Sequence, residues 1–468
     1  MTKSLSPWVI LFAIAIAVRV LTLGAYPLLD TTEARYGEVA RLMVTSGDWI
    51  TPQIEAGVPF WGKPPLSFWL TASSFAVFGV NEFAARLPSV VLFLLTCLIV
   101  YRLARPFGSG ALAACGIMLT SGVGFISAGA VMTDAALLLS VTLSLAAFWE
   151  TACRPESRWR YLFFVGAGLG LLAKGPISLI LIGLPIAVWT LVYRNPIWLL
   201  KQIPWVTGTM ITVIIAVPWY LAAEAKTPGF LEYFIVGEHW LRFLDSGWSG
   251  DLYGRAHSEP RGTIWLFALL GALPWSVPAV VLFIRWLREG DVFARVKPFQ
   301  AFLALWMLTP LAFFTLAANI LPAYALPGLP AFALLLGCTR LPENLALPKL
   351  GYAIPAAVVI AILAMNFGWL QTKTQQDLVA HHAANAEGPL YYFPKIPFSA
   401  NYYSRGTVRS LETIDDVISS ISDDPTIELA MRESAYTELR RYVGLCWKPT
   451  ASFNRYVLVE MSQLCEHH

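Results

Sequence analysis

Residues 28–65 read LLDTTEARYGEVARLMVTSGDWITPQIEAGVPFWGKPP, and this stretch decides how the rest of the chain is understood. It comes directly after an apolar run, Trp8 to Leu23, whose one charge is Arg19. A plain tether leaving a membrane needs few charges, yet this one carries Asp30, Glu33, Arg35, Glu38, Arg41, Asp48, Glu55 and Lys63. Read as a helix from Thr32 to Thr45, it places Glu33, Tyr36, Ala40 and Met43 on one face. Arg35, Glu38 and Arg41 fall on another. The expectation is an amphipathic helix lying in the membrane interface. Beyond that helix, Gly47, Pro52, Gly57 and Pro59 break the chain into short pieces. Lys63 is then fixed at the mouth of the next helix, because Pro64 bars the residue before it from the helical region.

Composition sets the class. Hydrophobic residues make up 57% and charged ones 13%, with a mean hydropathy of +0.60, which is a multi-pass membrane protein. A net charge of +3 gives no reason to expect nucleic acid as a partner. No small-residue cleavage site ends the first apolar run, so it reads as an uncleaved first span. Apolar runs lie at roughly 7–25, 84–104, 109–129, 134–152, 159–173, 176–193, 203–223, 263–286, 299–317, 321–338 and 350–370, about eleven spans. The apolar segment 66–80 is only about 15 residues, too short for a span.

Lys3, Arg102/Arg105, Arg154/Arg158/Arg160, Arg194/Lys201, Arg285/Arg288/Arg295/Lys297 and Arg340/Lys349 fall in alternate short loops. The positive-inside rule makes those loops cytoplasmic. The N-terminus is then cytoplasmic, and the long loops 26–83 and 224–262 face outward, as does the tail. After about residue 371 the tail alternates aromatic runs with amphipathic stretches and reads as a small α/β domain. Cys446 and Cys465 are the tail's two cysteines, and an oxidising compartment would allow them to bridge.

Several residues carry chemistry as well as a plainer structural reading. Asp30 and Glu33 open a helix, where an acid complements the dipole; either could also orient or deprotonate an acceptor. Thr133-Asp134 opens the fourth span, and Asp134 is the one acid between about residues 110 and 149. Lys174 lies between two spans on the outward side, where it snorkels or, with Lys63, binds a phosphate. The second outer loop holds Glu238, His239 and Arg242, then a Gly-rich stretch with Asp251, Arg255, His257 and Arg261 that reads as a mobile lid. Glu238, His239 and Arg261 are its substrate-binding candidates. Tyr324 opens the tenth span as a belt aromatic or a substrate contact.

The stretches LDTTEARYGEVARLMVTSGDWITPQ, GVPFWGKPPLSFWL, FGVNEFAARLPS, TDAALLLSVTLSLAAFW, LLAKGPISL, FLEYFIVGEHWLRF, GALPW and LPAYALPGLPAFALLLG occur in that order. Together they resemble the bacterial 4-amino-4-deoxy-arabinose transferase and protein O-mannosyltransferase group of membrane glycosyltransferases, of GT-C architecture. The resemblance implies an α-helical polytopic membrane protein of GT-C type. Interfacial helices would occupy the first outer loop, and a small α/β extracytoplasmic domain would come after the spans. It divides the chain into a membrane domain, 1–370, whose outer loops form the site, and a periplasmic domain, 371–468.

It also implies transfer of a sugar from a polyprenyl-phosphate donor to an acceptor such as lipid A, another glycan or a protein hydroxyl. The reaction would run at the periplasmic face of the bacterial inner membrane, usually with inversion. Carried over, Asp30 or Glu33 is the first acid and Asp134 the second. Arg35, Tyr36, Lys63, Arg242 and Tyr324 face the donor phosphate, and Lys174 joins them on the strength of its outward position beside Lys63. The arabinose transferases open their motif with adjacent Asp-Glu, whereas two threonines separate Asp30 from Glu33 here. They also carry a glutamate before the motif lysine, where this chain has Gly62. A divalent metal is compatible with the sequence but not required by it. A lipid or sugar flippase is the rival class; its expected internal repeats and interrupted mid-membrane helices are not evident in the sequence.

Overall fold

A computed structural model describes residues 6–108, 110–245, 247–253, 259–288, 296–338, 347–386, 388–423, 426–440 and 446–462. Lys3, Arg255, His257, Arg295, Arg340, Cys465 and the side chain of Cys446 lie outside them, so the Cys446–Cys465 bridge does too. The chain forms two compact units, residues 1–24 with Leu42–Ile360 and Ala25–Arg41 with Ala361–His468.

Every apolar run is helical, and the protein is a multi-pass α-helical membrane protein. Five helices among the described residues are long and apolar enough to cross a bilayer, with a sixth if one bent pair counts as a span. The runs are less uniform than hydropathy suggests. The run at 263–286 is two helices, Thr263–Gly271 and Ser276–Arg288, bent by 110°. The run at 109–129 breaks at Ser121, which caps the Gly122–Ser127 helix by accepting from Gly124 N. These breaks satisfy one another: Gly122 N donates to Leu273 O at 2.8 Å, and Trp275 Nε1 to Thr120 Oγ1 at 3.0 Å. Interrupted backbone survives at membrane depth only with such partners.

Small residues bring the central helices close. A Cβ on Gly166 would stand 2.3 Å from Ser144 Oγ and 2.8 Å from Ser140 O, and one on Gly170 would stand 2.7 Å from Ser178 Cβ. The helices Asp134–Cys153, Trp159–Lys174 and Ile177–Tyr193 therefore pack almost backbone to backbone, as small residues permit inside membranes. Because the first two run antiparallel, the beginning of one and the end of the other lie side by side. That places Asp134 beside Lys174. Arg19 is buried rather than snorkelling; its guanidinium donates to Ile126 O at 3.1 Å and lies over the Phe125 ring. Arg86, fully buried, donates to Leu23 O at 2.7 Å beyond the first helix. Each arginine thus satisfies a helix-terminal carbonyl.

In the second unit, Leu390–Phe393 (β3), Arg409–Ser410 (β4), Thr426–Arg432 (β5), Cys446–Phe453 (β6) and Tyr456–Ser462 (β7) form a five-stranded sheet. A two-stranded ribbon, Gln53–Glu55 (β1) with Val58–Pro59 (β2), precedes them in the first outer loop. The sheet order is β4-β3-β5-β7-β6, with β3 parallel to both neighbours and β7 antiparallel to both of its own. Leu429, Met431, Val459 and Met461 pack on one face with Val417 and Ile421. Leu390, Tyr392, Ala430 and Leu458 pack on the other with Leu378 and Ala400. Both faces are covered, which is the α/β layering the tail's pattern called for.

The helix Thr32–Ser46 forms where the spacing puts it. Its Glu38 and Arg41 do not make a solvated face. They are buried and paired, with both Glu38 oxygens accepting from Arg41 at 2.7 Å.

Candidate functional site in the outer loops

Three segments of the membrane unit converge: the Lys63 turn, the start of Asp134–Cys153 with the end of Trp159–Lys174, and the second outer loop. That loop is a ten-residue π-helix, Glu232–Leu241, succeeded by the short helix Arg242–Leu244. A π-helix of this length is rare, and such segments concentrate at functional sites. Glu224 holds the turn before it, accepting from Gly229 N at 3.0 Å and Leu231 N at 2.7 Å.

The Glu238 carboxylate is the hub of the first cluster. Its side chain is only 5% exposed. Lys63 Nζ lies 3.3 Å from Oε2, and Arg242 Nη1 donates to Oε1 at 2.9 Å and to Oε2 at 3.0 Å. Arg242 Nη2 also lies 3.2 Å from Asp251 Oδ2. Burial pushes the Glu238 carboxyl up, but Lys63 and Arg242 outweigh it and hold the group below the usual carboxylate range. Burial likewise pulls Arg242 down, and Glu238 and Asp251 more than restore it.

Lys63 reaches this place through Tyr253. The Tyr253 hydroxyl donates to Pro59 O at 2.8 Å and accepts from Trp61 N at 3.0 Å, while its ring packs against Phe60. Trp61 Nε1 donates to Thr227 Oγ1 at 3.1 Å. The Lys63 turn is thus sewn to the second loop from both sides.

The second cluster is the pair Lys174 and Asp134. Nζ lies 2.6 Å from Oδ1, and the side chains are 12% and 8% exposed. Asp134 stands in the first turn of its helix and Lys174 in the last turn of the next, so each complements a helix dipole. Lys174 Nζ also sits 4.7 Å above the Tyr324 ring, which packs on Phe314. Tyr324 lies within electrostatic reach of Lys63, Asp134, Arg242 and Glu238 and so joins the two clusters.

His239 faces backbone on both sides, with Nδ1 2.8 Å from Phe234 O and Nε2 3.0 Å from Lys174 O. Burial lowers its pKa, against the two carbonyls that favour the charged ring. Its ring fastens the π-helix to the end of Trp159–Lys174 and presents no free nitrogen to a substrate or metal. Gly62 supplies no carboxylate beside Lys63, and among the described residues no group of three or more His, Cys, Asp or Glu is placed to hold a metal ion. Arg261 is exposed and outside both clusters. The described part of the Gly-rich stretch is anchored rather than free. Trp248 lies so close over Gly237 that a Cβ there would meet its ring at 2.3 Å, and Asp251 Oδ1 accepts from Tyr253 N.

Asp30, Glu33, Arg35 and Tyr36 belong to the other unit. Asp30 accepts from both the backbone N–H and the hydroxyl of Ser399, and burial raises its pKa despite those bonds. The Arg35 guanidinium lies over the Tyr36 and Phe398 rings, 5.2 and 5.7 Å from their centroids.

The sequence profile of the dolichyl-phosphate-mannose-protein mannosyltransferase family matches residues 4–234. An undecaprenyl phosphate-alpha-4-amino-4-deoxy-L-arabinose arabinosyl transferase of Pseudomonas savastanoi pv. phaseolicola is 31% identical over 388 residues, 80% of this chain and 69% of that one. The chain belongs to this transferase family. The homologue from Pseudomonas paraeruginosa is 31% identical over 367 residues, covering 74% of this chain and 62% of the relative. This family member thus spans less than two thirds of the length of several such relatives. The crystal structure of ArnT from Cupriavidus metallidurans bound to undecaprenyl phosphate superposes with a TM-score of 0.74. It covers 97% of this chain and 98% of that one at 21% identity, and so shares the fold.

Tyr253 and Glu224 escaped the sequence reading. Neither sits in a charged motif, and their roles exist only once the two outer loops meet.

Proposed function

We propose that the protein is a glycosyltransferase that moves a sugar from a polyprenyl-phosphate donor to an acceptor such as lipid A, at the periplasmic face of the bacterial inner membrane. The observation that carries this reading is the buried Lys63–Glu238–Arg242 cluster joined through Tyr324 to Asp134–Lys174, in a chain of the arabinosyl transferase family. The leaving group is a phosphate whose charge grows in the transition state. Lys63 and Arg242 stabilise that charge, with Tyr324 and Lys174 adjoining. Asp134 orients or deprotonates the acceptor on the far side of the sugar, with Asp30 or Glu33 as the family's first acid. The family resemblance offers Arg35 and Tyr36 as further donor-phosphate residues, and Glu238, His239 and Arg261 as substrate-binding candidates of the second outer loop. If the acceptor is itself a phosphate, it is already ionised and needs positioning more than deprotonation.

The proposed topology has a cytoplasmic N-terminus and two domains, 1–370 in the membrane and 371–468 in the periplasm. A reporter active only in the periplasm, fused after His468, is expected to be active; activity of a cytoplasmic reporter there instead rejects it.

The reaction is tested with purified protein and a radiolabelled polyprenyl-phosphate sugar. Lys63→Ala is expected to weaken donor binding and transfer together, because the phosphate is charged in both ground and transition states. Loss of such a contact costs roughly 1.5–3 kcal/mol, one to two powers of ten. Asp134→Asn is expected to lose turnover while retaining donor binding. Normal turnover in the second variant with normal donor binding in the first removes the assignment.

A further inference from the structure

The first cluster is already neutral. Lys63 and Arg242 contribute two positive charges, and Glu238 and Asp251 contribute two negative ones. The adjoining Lys174–Asp134 pair also sums to zero. Adding an anion to this buried, balanced group of charges brings a desolvation penalty, and among the described residues of the two clusters every cation is already paired with an acid. An anion entering here must therefore take cations from an acid that now holds them.

The geometry singles out Glu238. Of the two cations Asp251 meets Arg242 but not Lys63, whereas Glu238 lies between them and meets both. Two oxygens on one centre, accepting from an ammonium on one side and a guanidinium on the other, is the arrangement a phosphate presents to the same pair.

We propose that Glu238 is a built-in competitor of the donor phosphate: its carboxylate occupies the phosphate's place in the resting site and exchanges with it. The inference rests on the donor-phosphate site proposed above. Entry of a phosphodiester transfers Lys63 and Arg242 from Glu238 to the incoming oxygens, and no covalent bond changes. Return of Glu238 to the two cations then favours departure of the lipid phosphate after transfer. Glu238 becomes a positioning residue that trades donor affinity for product release.

The test is the affinity of purified full-length protein for methyl farnesyl phosphate, a phosphodiester that keeps one charge across neutral pH, measured by calorimetry in detergent. Glu238→Gln keeps the shape and removes the competing charge; it is expected to tighten binding about tenfold. Asp251→Asn, which leaves Glu238 in place, is expected to change it less. Lys63→Gln is expected to weaken it. If Glu238 only orients its cations, Glu238→Gln weakens binding as Lys63→Gln does, and the inference falls while the site stands. If neither variant moves the affinity, the site itself is wrong. Should Glu238→Gln not fold, Glu238→Asp reads the same quantity. One methylene shorter, it cannot span both cations, and unchanged or weaker binding overturns the proposal.

Discussion

Replacing Lys174 by methionine removes the ammonium 2.6 Å from Asp134 Oδ1 while keeping most of the apolar stem. Asp134 is then an acid with 8% side-chain exposure and no counter-charge at that oxygen. Breaking a buried pair from one side costs roughly 3–5 kcal/mol, because the remaining charge stays desolvated. Loss of the cation over the Tyr324 ring adds about 0.5–2 kcal/mol. At about 2 °C per kcal/mol for a large chain, the pair alone predicts a fall in Tm of roughly 6–10 °C. Thermal unfolding in detergent, monitored by tryptophan fluorescence, reads it. The double variant Lys174→Met/Asp134→Asn removes both charges and is expected to recover much of the loss, a coupling of about 2 kcal/mol or more. Stability and chemistry separate at that point, since the double variant regains Tm but not turnover if Asp134 handles the acceptor. A Lys174→Met protein that melts with the parent, or single effects that simply add, would show that Lys174 and Asp134 are not a coupled buried pair.

Single contacts carry the other expectations. Tyr253→Phe deletes the donation to Pro59 O and the acceptance from Trp61 N, about 1 kcal/mol each; phosphodiester affinity should fall severalfold, and an unchanged affinity shows that Lys63 is placed by other means. Gly166→Val drives a Cβ into Ser144 Oγ and Ser140 O; the overpacking should cost about 1–3 kcal/mol or more of stability and spread the helices that carry Asp134 and Lys174. For pH, the Glu238 carboxyl is held below its unfolded value, so its ion pairs stabilise the loop fully above the usual carboxylate pKa near ~4.3 and fail as pH falls through the depressed value. Loop protection from protease should therefore be flat from about pH 5 to 8 and drop below about pH 4, a limb that Glu238→Gln abolishes.

The helices and the class of the molecule are legible in the residues alone. Apolar runs must bury their backbone hydrogen bonds in lipid, so each became a helix, and the alternation in the tail became a sheet covered on both faces. The sequence also marked Asp134, Lys174 and Tyr324, because an ionisable or hydroxyl-bearing group at a span's end stands out against an apolar background, while Lys63 and Arg242 stood out through the motifs of the outer loops. Tertiary structure decided who meets whom. That Lys174 belongs to Asp134 is a consequence of antiparallel packing through Gly166 and Gly170, and no local pattern contains it. The bend of 110° between Thr263–Gly271 and Ser276–Arg288 was hidden because hydropathy registers composition, not direction. His239 reads in the sequence either as a satisfied interfacial histidine or as a substrate contact, and only the fold shows its ring nitrogens facing Phe234 O and Lys174 O, backbone groups 5 and 65 residues away. Glu238 looked like one more charge in a loop. Its pairing with Arg242 is a local i,i+4 contact, but only the folded chain brings Lys63, 175 residues away, to its other side, because that contact is fixed by distance in space.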